Sequence, residues 1–271
     1  MAVLLARIRI PLLWAAAVFL VVGAFTRLPF WLPLVVLLVA FALYFRVGTV
    51  RRPPVTVGFP VRGRYRAVNS PADKVPSHGL HAYGQTYAID LVPVPTGDGD
   101  VRVDGWVKVE PPTAYPGFGD PIVAPVDGVV VRAHDRARDH GSRMSWGALA
   151  YLLTVEAFAR EVRGPKGILG NHLVLRVDDG ADGAEASGDG AGTYVALAHL
   201  RQGSLRAGVG DRVRRGEVVA ELGNSGNSSQ PHIHLQVMDH PNLLLAAGLP
   251  MAFDGWPDGG MPDRSAPFVT P

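Results

Sequence analysis

Two uncharged apolar runs dominate the start of the chain, IPLLWAAAVFLVVGAF (10–25) and PFWLPLVVLLVAFALYF (29–45), separated only by Thr26, Arg27 and Leu28. Each lies near the roughly 17-residue lower limit for crossing a bilayer, and together they are too long for one straight crossing. The pattern predicts a membrane hairpin over 1–52, with transmembrane helices at about 10–26 and 29–45. No small-residue cleavage site precedes the second run, which argues against a removed signal peptide. RRPP (51–54) closes this part, because paired prolines resist helix continuation.

Beyond a linker or first strand at 53–70, short apolar runs alternate with Gly, Pro and Asp turns. Strands are predicted around 87–92, 121–132, 172–177, 194–199, 218–222 and 232–237. Residues 144–162, inside an insertion over 135–169, instead repeat apolar positions at helical spacing without proline. They read as one amphipathic helix packed on the sheet, with capping of a substrate groove or contact with the membrane as the alternatives. The polar, glycine-rich segment 178–192 reads as a hairpin loop. The expected fold class is mainly β: an antiparallel β-sheet domain over 71–255 with one inserted α-helix, preceded by two transmembrane α-helices and followed by a tail over 256–271. GDPIVAPVDGVVV from Gly119 and GDRVRRGEVVA from Gly210 echo one another weakly, which suggests paired β-elements and falls short of a solenoid.

Composition narrows the chemistry. Lys and Arg number 26 against 24 Asp and Glu, so a net charge of +2 gives no electrostatic case for nucleic acid. The pI of about 9.0 is compatible with anionic wall polymers. The chain has no cysteine, which removes disulfides, Fe–S clusters, thiolate metal sites and thiol nucleophiles. Histidines and carboxylates are left as the ligands of any transition metal. Arg7 and Arg9 precede the hairpin and Arg46, Arg51 and Arg52 follow it, with Arg27 between, so the positive-inside rule points both ends toward the cytoplasm.

Three segments place metal-binding side chains in strand-like surroundings. In PHIHLQV (231–237), His232, His234 and Gln236 share one face while Ile233, Leu235 and Val237 take the other. An isolated His-x-His is more often a pair of exposed or hydrogen-bonded rings than a metal site. Asp90 sits in QTYAIDLV between apolar neighbours, where an ionised carboxylate needs a cation, an arginine serving as well as a metal. His199 closes YVALAH, apolar on both faces, so its ring is expected to be buried and to need partners for both nitrogens. Three strands each delivering such a group make coincidence a poor explanation.

The run LAHLRQGSLRAGVGDRVRRGEVVAELGNSGNSSQPHIHLQV, with GDPIVAPVDGVVV before it, resembles the zinc metallopeptidases of the M23 family, the LytM and lysostaphin type endopeptidases. The resemblance is dense from 170 to 237 and does not reach the hairpin or the insertion. It implies one Zn2+ per domain, with Asp90 and His234 as ligands, and His199 and His232 as catalytic residues contacting the attacking water and the scissile carbonyl. It also implies a peptidoglycan peptide as substrate, which would put the peptidase domain on the extracytoplasmic side of the cell membrane that the hairpin predicts, against the positive-inside rule. Most members carry the first histidine ligand four residues before the aspartate, where this chain has Thr86. His78 and His81 in SHGLHAYGQTYAID are the candidates, with His78 preferred. Asn171 also matches the family, as a turn or bulge residue near the site, while His134, His140, His172 and His240 match nothing and read as surface or structural. Two rival readings remain: a catalytically inactive binding or activator scaffold for cell-wall enzymes, and a cupin-like iron site built from His232, His234 and Asp239. The sequence assigns no oligomeric state.

Overall fold

Alternation of side chains across a strand sets the architecture. In the computed structural model, which describes residues 2–95, 103–178 and 192–270, the strands in chain order are β1 (Val55–Val57), β2 (Arg64–Ala67), β3 (Ile89–Pro93), β4 (Pro121–Val123), β5 (Gly128–His134) and β6 (Asn171–Val177). They continue with β7 (Tyr194–Leu200), β8 (Arg212–Val213), β9 (Val218–Glu221), β10 (Ile233–Met238), β11 (Met251–Phe253) and β12 (Phe268–Val269). Eight strands form one sheet in the order β12-β2-β3-β10-β7-β6-β5-β8, with antiparallel neighbours throughout. β4 pairs antiparallel with β9, and β1 pairs parallel with β11, in two small separate sheets.

The two faces of the large sheet carry different cores. Ile89, Leu91, Leu173, Leu175, Val195, Leu197, Ile233, Leu235 and Val237 point one way and close a cluster with the two small sheets. Val174, Tyr194, Ala196, Ala198 and Met238 point the other way, where they meet Tyr83, Leu169, and Ile10 and Tyr44 of the N-terminal helices. The alanines on this second face leave room above the sheet for larger side chains from β3 and β10.

The N-terminal helices differ from the expected hairpin. Helix α1 (Ala2–Gly23) begins before residue 10, and its first turns dock on the sheet domain. Arg7 meets Asp239 at 3.2 Å, and the guanidinium of the buried Arg9 donates to the His81 carbonyl. Residues 3–23 form the one helix among the described residues that is long and apolar enough to cross a membrane. Helix α2 (Trp31–Arg46) has 16 residues, and at about 1.5 Å per residue it falls some 6 Å short of a hydrocarbon core of about 30 Å. Two full spans are therefore not supported. The last turn of α2 is engaged with the domain through Tyr44.

Other expectations also shift. The strand predicted over 121–132 divides into β4 and β5, because Pro125 has no N–H to continue a ladder and its carbonyl accepts from Gly58. The insertion is α3 (Trp146–Tyr151), a π-helical stretch (Leu152–Glu156), α4 (Ala157–Val162) and a short α5 (Pro165–Leu169), in place of one regular helix. Residues 53–70 supply β1 and β2, and the expected tail supplies β12 on the sheet edge. The predicted hairpin loop lies mostly outside the described residues. Leu197 is fully buried at the sheet centre, and Leu197→Ala is expected to cost about 2–5 kcal/mol, read as a lower denaturation midpoint of the detergent-solubilised chain.

Candidate metal centre

Register brings the first two groups together. His234 lies directly opposite Asp90 across β10 and β3, and opposite Ala198 across β10 and β7, so its ring and the carboxylate share the face that the alanine leaves open. Asp90 Oδ1 is 2.9 Å from His234 Nδ1, and Oδ2 is 3.0 Å from His78 Nε2. Asn69 Nδ2 donates to Oδ2 at 2.7 Å. The ligand atoms of His78, Asp90 and His234 all lie within 4.8 Å of one another.

His78 arrives from the loop before β3. That loop turns back through Tyr83 (φ 59°) and Gly84 (φ 74°), and a Cβ on Gly84 would fall 2.8 Å from the Gln236 amide nitrogen. Glycine is needed there for both conformation and space. His81, the other candidate, is not part of the cluster. Its Nδ1 faces Thr86 Oγ1 at 3.1 Å, and burial with the Arg9 charge pushes its pKa down to about 4.

The partners of the outer nitrogens test whether a cation fits. Ser77 Oγ donates to the Ala88 carbonyl at 2.6 Å and so accepts from His78 Nδ1 at 3.0 Å. Gln236 donates its amide to the Tyr83 carbonyl at 2.9 Å, which turns Oε1 to accept from His234 Nε2 at 2.9 Å. Both outer nitrogens are thus N–H donors, and the inner nitrogens, His78 Nε2 and His234 Nδ1, are lone pairs aimed at a carboxylate that also only accepts. Three acceptors converging with no proton between them form a cation site by their chemistry, and the outer partners fix ring orientation.

His199 reaches the same space through a backbone irregularity. Asn171 pairs with Leu200 while His172 pairs with Ala198, so His199 is the extra residue of a bulge, at φ 64°. Strict alternation would send its ring to the face opposite Ala198 and His234; the bulge turns it back, to a centroid distance of 5.8 Å from His234 and 4.7 Å from His232. His199 Nδ1 donates to the Ser225 carbonyl at 2.8 Å, and His232 Nδ1 donates to the Gln230 carbonyl at 2.8 Å. Both Nε2 atoms are left as lone pairs, that of His232 lying 3.6 Å from Asp90 Oδ1. Gly226, at φ 70°, lets the Gly/Asn/Ser turn press on β6, since a Cβ there would fall 2.3 Å from the Gly170 nitrogen. Asn171 pins the bulge by donating to the Leu200 carbonyl at 3.1 Å.

The electrostatics follow from burial and partners. Burial alone would raise the Asp90 carboxyl, but the His78, His232 and His234 rings around it hold it well below the usual range. Burial lowers His199 well below an ordinary histidine, aided by the neighbouring rings, and lowers His232 against the pull of Asp90. Burial opposes protonation of His234 too, yet the contact with Asp90 raises it. All these groups line one groove of ≈ 430 Å³, with Tyr44, Tyr83 and Glu161 on its walls.

Asp239 stands apart, bound to Arg7 and to the Ala247 N–H at 2.8 Å, so the two-His, Asp239 arrangement is not assembled. His172 is buried and His140 half-buried, each on backbone carbonyls, which makes both structural and neither one a surface residue. Asn69, Ser77 and Ser228 support the site, at Asp90, His78 and His232 respectively, without a sequence motif of their own. The one local signal was the position of Ser77 next to His78.

Residues 164–244 match the model of Peptidase family M23. No curated protein matches the chain. Among solved structures, the lysostaphin catalytic domain from Staphylococcus simulans is similar at 17% identity and TM-score 0.31, covering 69% of this chain and 88% of that one. LytU is similar at 20% identity and TM-score 0.32, covering 75% and 87%. A zinc-containing peptidase from Vibrio cholerae is similar at 18% identity and TM-score 0.30, covering 77% of this chain and 42% of that one.

His81 and His172 both have pKa values pushed down to about 4, mainly by burial. A histidine held below its unfolded value of roughly 6.5 takes up its proton only on unfolding, so it subtracts stability as pH falls from about 6.5 toward 4. Thermal melts of the metal-free chain are expected to shift downward across that window, with a shallower decline for His172→Gln.

Proposed function

We propose that the chain is a membrane-anchored zinc metalloendopeptidase that hydrolyses peptide bonds of peptidoglycan. The observation that carries this reading is the convergence of acceptor atoms: His78 Nε2, the Asp90 carboxylate and His234 Nδ1 face one point, with the Nε2 lone pair of His232 beside them. The peptidase class is supported by the family match, which contains His199, His232 and His234. His78 and Asp90 lie outside that match and rest on geometry. Peptidoglycan as substrate rests on the resemblance of the motifs to LytM and lysostaphin type endopeptidases. Anchoring rests on the apolar helix at 3–23, with the domain on the extracytoplasmic side where that polymer lies.

His78, Asp90 and His234 would hold the ion, an all-N/O donor set suited to zinc in a chain without cysteine. When bound, zinc supplies a Lewis acid that polarises the scissile carbonyl and brings the pKa of a water toward roughly 7. Ser77 and Gln236 hold the two ligand rings in the tautomers that the ion needs. His199 and His232 are neutral at neutral pH, because burial disfavours their charged forms. Each offers an Nε2 lone pair, with Nδ1 anchored on a backbone carbonyl, and one of the two takes a single proton from the attacking water. A ring protonated in this way becomes a donor to the oxygen of the tetrahedral intermediate, and then to the leaving amine.

Metal analysis separates ligands from catalytic groups. Asp90→Ala and His234→Ala are expected to lose zinc, whereas His199→Ala and His232→Ala are expected to keep it while turnover on purified peptidoglycan falls roughly a hundredfold or more. Full zinc retention by Asp90→Ala would remove the ligand assignment. Absence of released fragments from the zinc-loaded, full-length chain would favour the inactive scaffold.

A further inference from the structure

The insertion exposes far more apolar surface than a helix packed on a sheet requires. Its polar side chains face the protein: Glu156 bonds Arg143 at 2.7 Å and Arg160 at 2.9 Å, and Glu161 accepts from Tyr83 Oη at 2.8 Å and Tyr44 Oη at 3.2 Å. Ala148 and Leu152 are buried, but most of its larger apolar side chains face outward: Trp146, Tyr151, Leu153, Val155, Phe158 and Val162 are each between 52% and 66% exposed. The adjoining loop extends the patch, since Gly147 N donates to the Trp106 carbonyl at 2.7 Å, and Trp106 and Val107 are more than 70% exposed. So many exposed apolar side chains on one insertion mark an interaction site.

Two features identify what covers it. Tyr44 lies in the last turn of α2, so its bond to Glu161 holds the insertion beside the point where the apolar helices leave the domain. Lengths give the second. With Arg7, Arg9 and Ile10 of α1 and Tyr44 of α2 docked on the domain, α1 projects from about Pro11 to Gly23 and α2 from Trp31 to about Leu43, each roughly 20 Å. Against a hydrocarbon core of about 30 Å both projecting parts fall short, by roughly 10 Å. An interfacial apolar helix sinks about 5–10 Å into the boundary of headgroups and acyl chains, which matches the shortfall.

We propose that the outward face of 146–162, with Trp106 and Val107, is a lipid-binding surface that seats the domain in the membrane interface. This rests on the reading of the N-terminal helices as a bilayer anchor. Leu149, Leu152, Leu153 and Ala157 of the same insertion line the candidate groove, as does Tyr44. The groove therefore opens at the bilayer surface, and its substrate is peptide presented there.

The absence of cysteine permits a direct test with the full-length chain. Single cysteines at Val155 and Phe158 (V155C, F158C), and at the exposed Val209 (V209C) in the β7–β8 connection as a control, carry a bimane label after reconstitution into phosphatidylethanolamine/phosphatidylglycerol vesicles. Flotation of the vesicles reports the anchor, and quenching by lipids bearing a shallow doxyl group reports the insertion. Flotation with loss of most of the fluorescence at 155 and 158, and little at 209, is the expected result. Flotation with 155 and 158 as open to aqueous iodide as 209 would overturn the lipid surface while leaving the anchor intact. Failure to float would overturn the anchor and this inference with it. Shielding from iodide without doxyl quenching, accompanied by a dimer mass, would assign the face to a second copy and also overturn it. Val162→Ser, judged by the same quenching at 158, guards against a labelled variant that misfolds.

Discussion

The buried Asp90 carboxylate is the constraint to which the rest of the structure answers. It sits in the middle of β3 among side chains closed to solvent, where an unpaired charge costs several kcal/mol. Every close partner it has is a nitrogen: His234 from the facing strand, His78 from the preceding loop, and Asn69 from the turn after β2. The register that delivers His234 is itself set on the other side of the sheet, where Ile233 pairs with Leu91 and Leu235 with Ile89 in the hydrophobic core. A slip of one residue would bury two imidazoles in that core and turn its leucine and isoleucine outward. Hydrophobic packing on one face thus holds the polar geometry of the other.

The second face is built from parts that depend on one another. The loop that presents His78 also gives the His81 carbonyl to Arg9 of α1 and the Tyr83 hydroxyl to Glu161 of the insertion. The Tyr83 carbonyl in turn orients Gln236 against His234. The apolar helices, the insertion and the candidate centre are therefore joined within a few residues of one loop. Movement of the domain relative to its helices would be felt first at His78, the one proposed ligand that does not stand on a strand.

The legible part of this protein is the part carried by local periodicity. Short apolar runs between Gly, Pro and Asp turns located β3, β6, β7, β9 and β10, and period-two strand geometry placed His232, His234 and Gln236 on one face. The absence of cysteine and the apolar setting of Asp90 restricted the chemistry for the same local reason. The choice between His78 and His81 had no such basis. Both rings sit in an irregular loop, and it was the positive φ at Tyr83 and Gly84, together with the competing contact of His81 with Thr86, that separated them.

Other features existed only once strands and helices had met. Alternation would aim His199 away from His234, and the bulge that reverses it arises from the pairing of β6 with β7, which no stretch of β7 encodes by itself. The amphipathic pattern of 144–162 specified a helix with two faces without saying which one turns inward. The pairing of Glu156 with Arg143 and Arg160 turns a charged stripe inward beside Ala148 and Leu152, and leaves Tyr151, Val155, Phe158 and Val162 exposed. Sequence determined the spacing of chemical groups along each element, since that depends on bonded geometry. Which elements lie side by side, in what register and with which face covered, depends on contacts between distant residues, and only the folded chain could decide it.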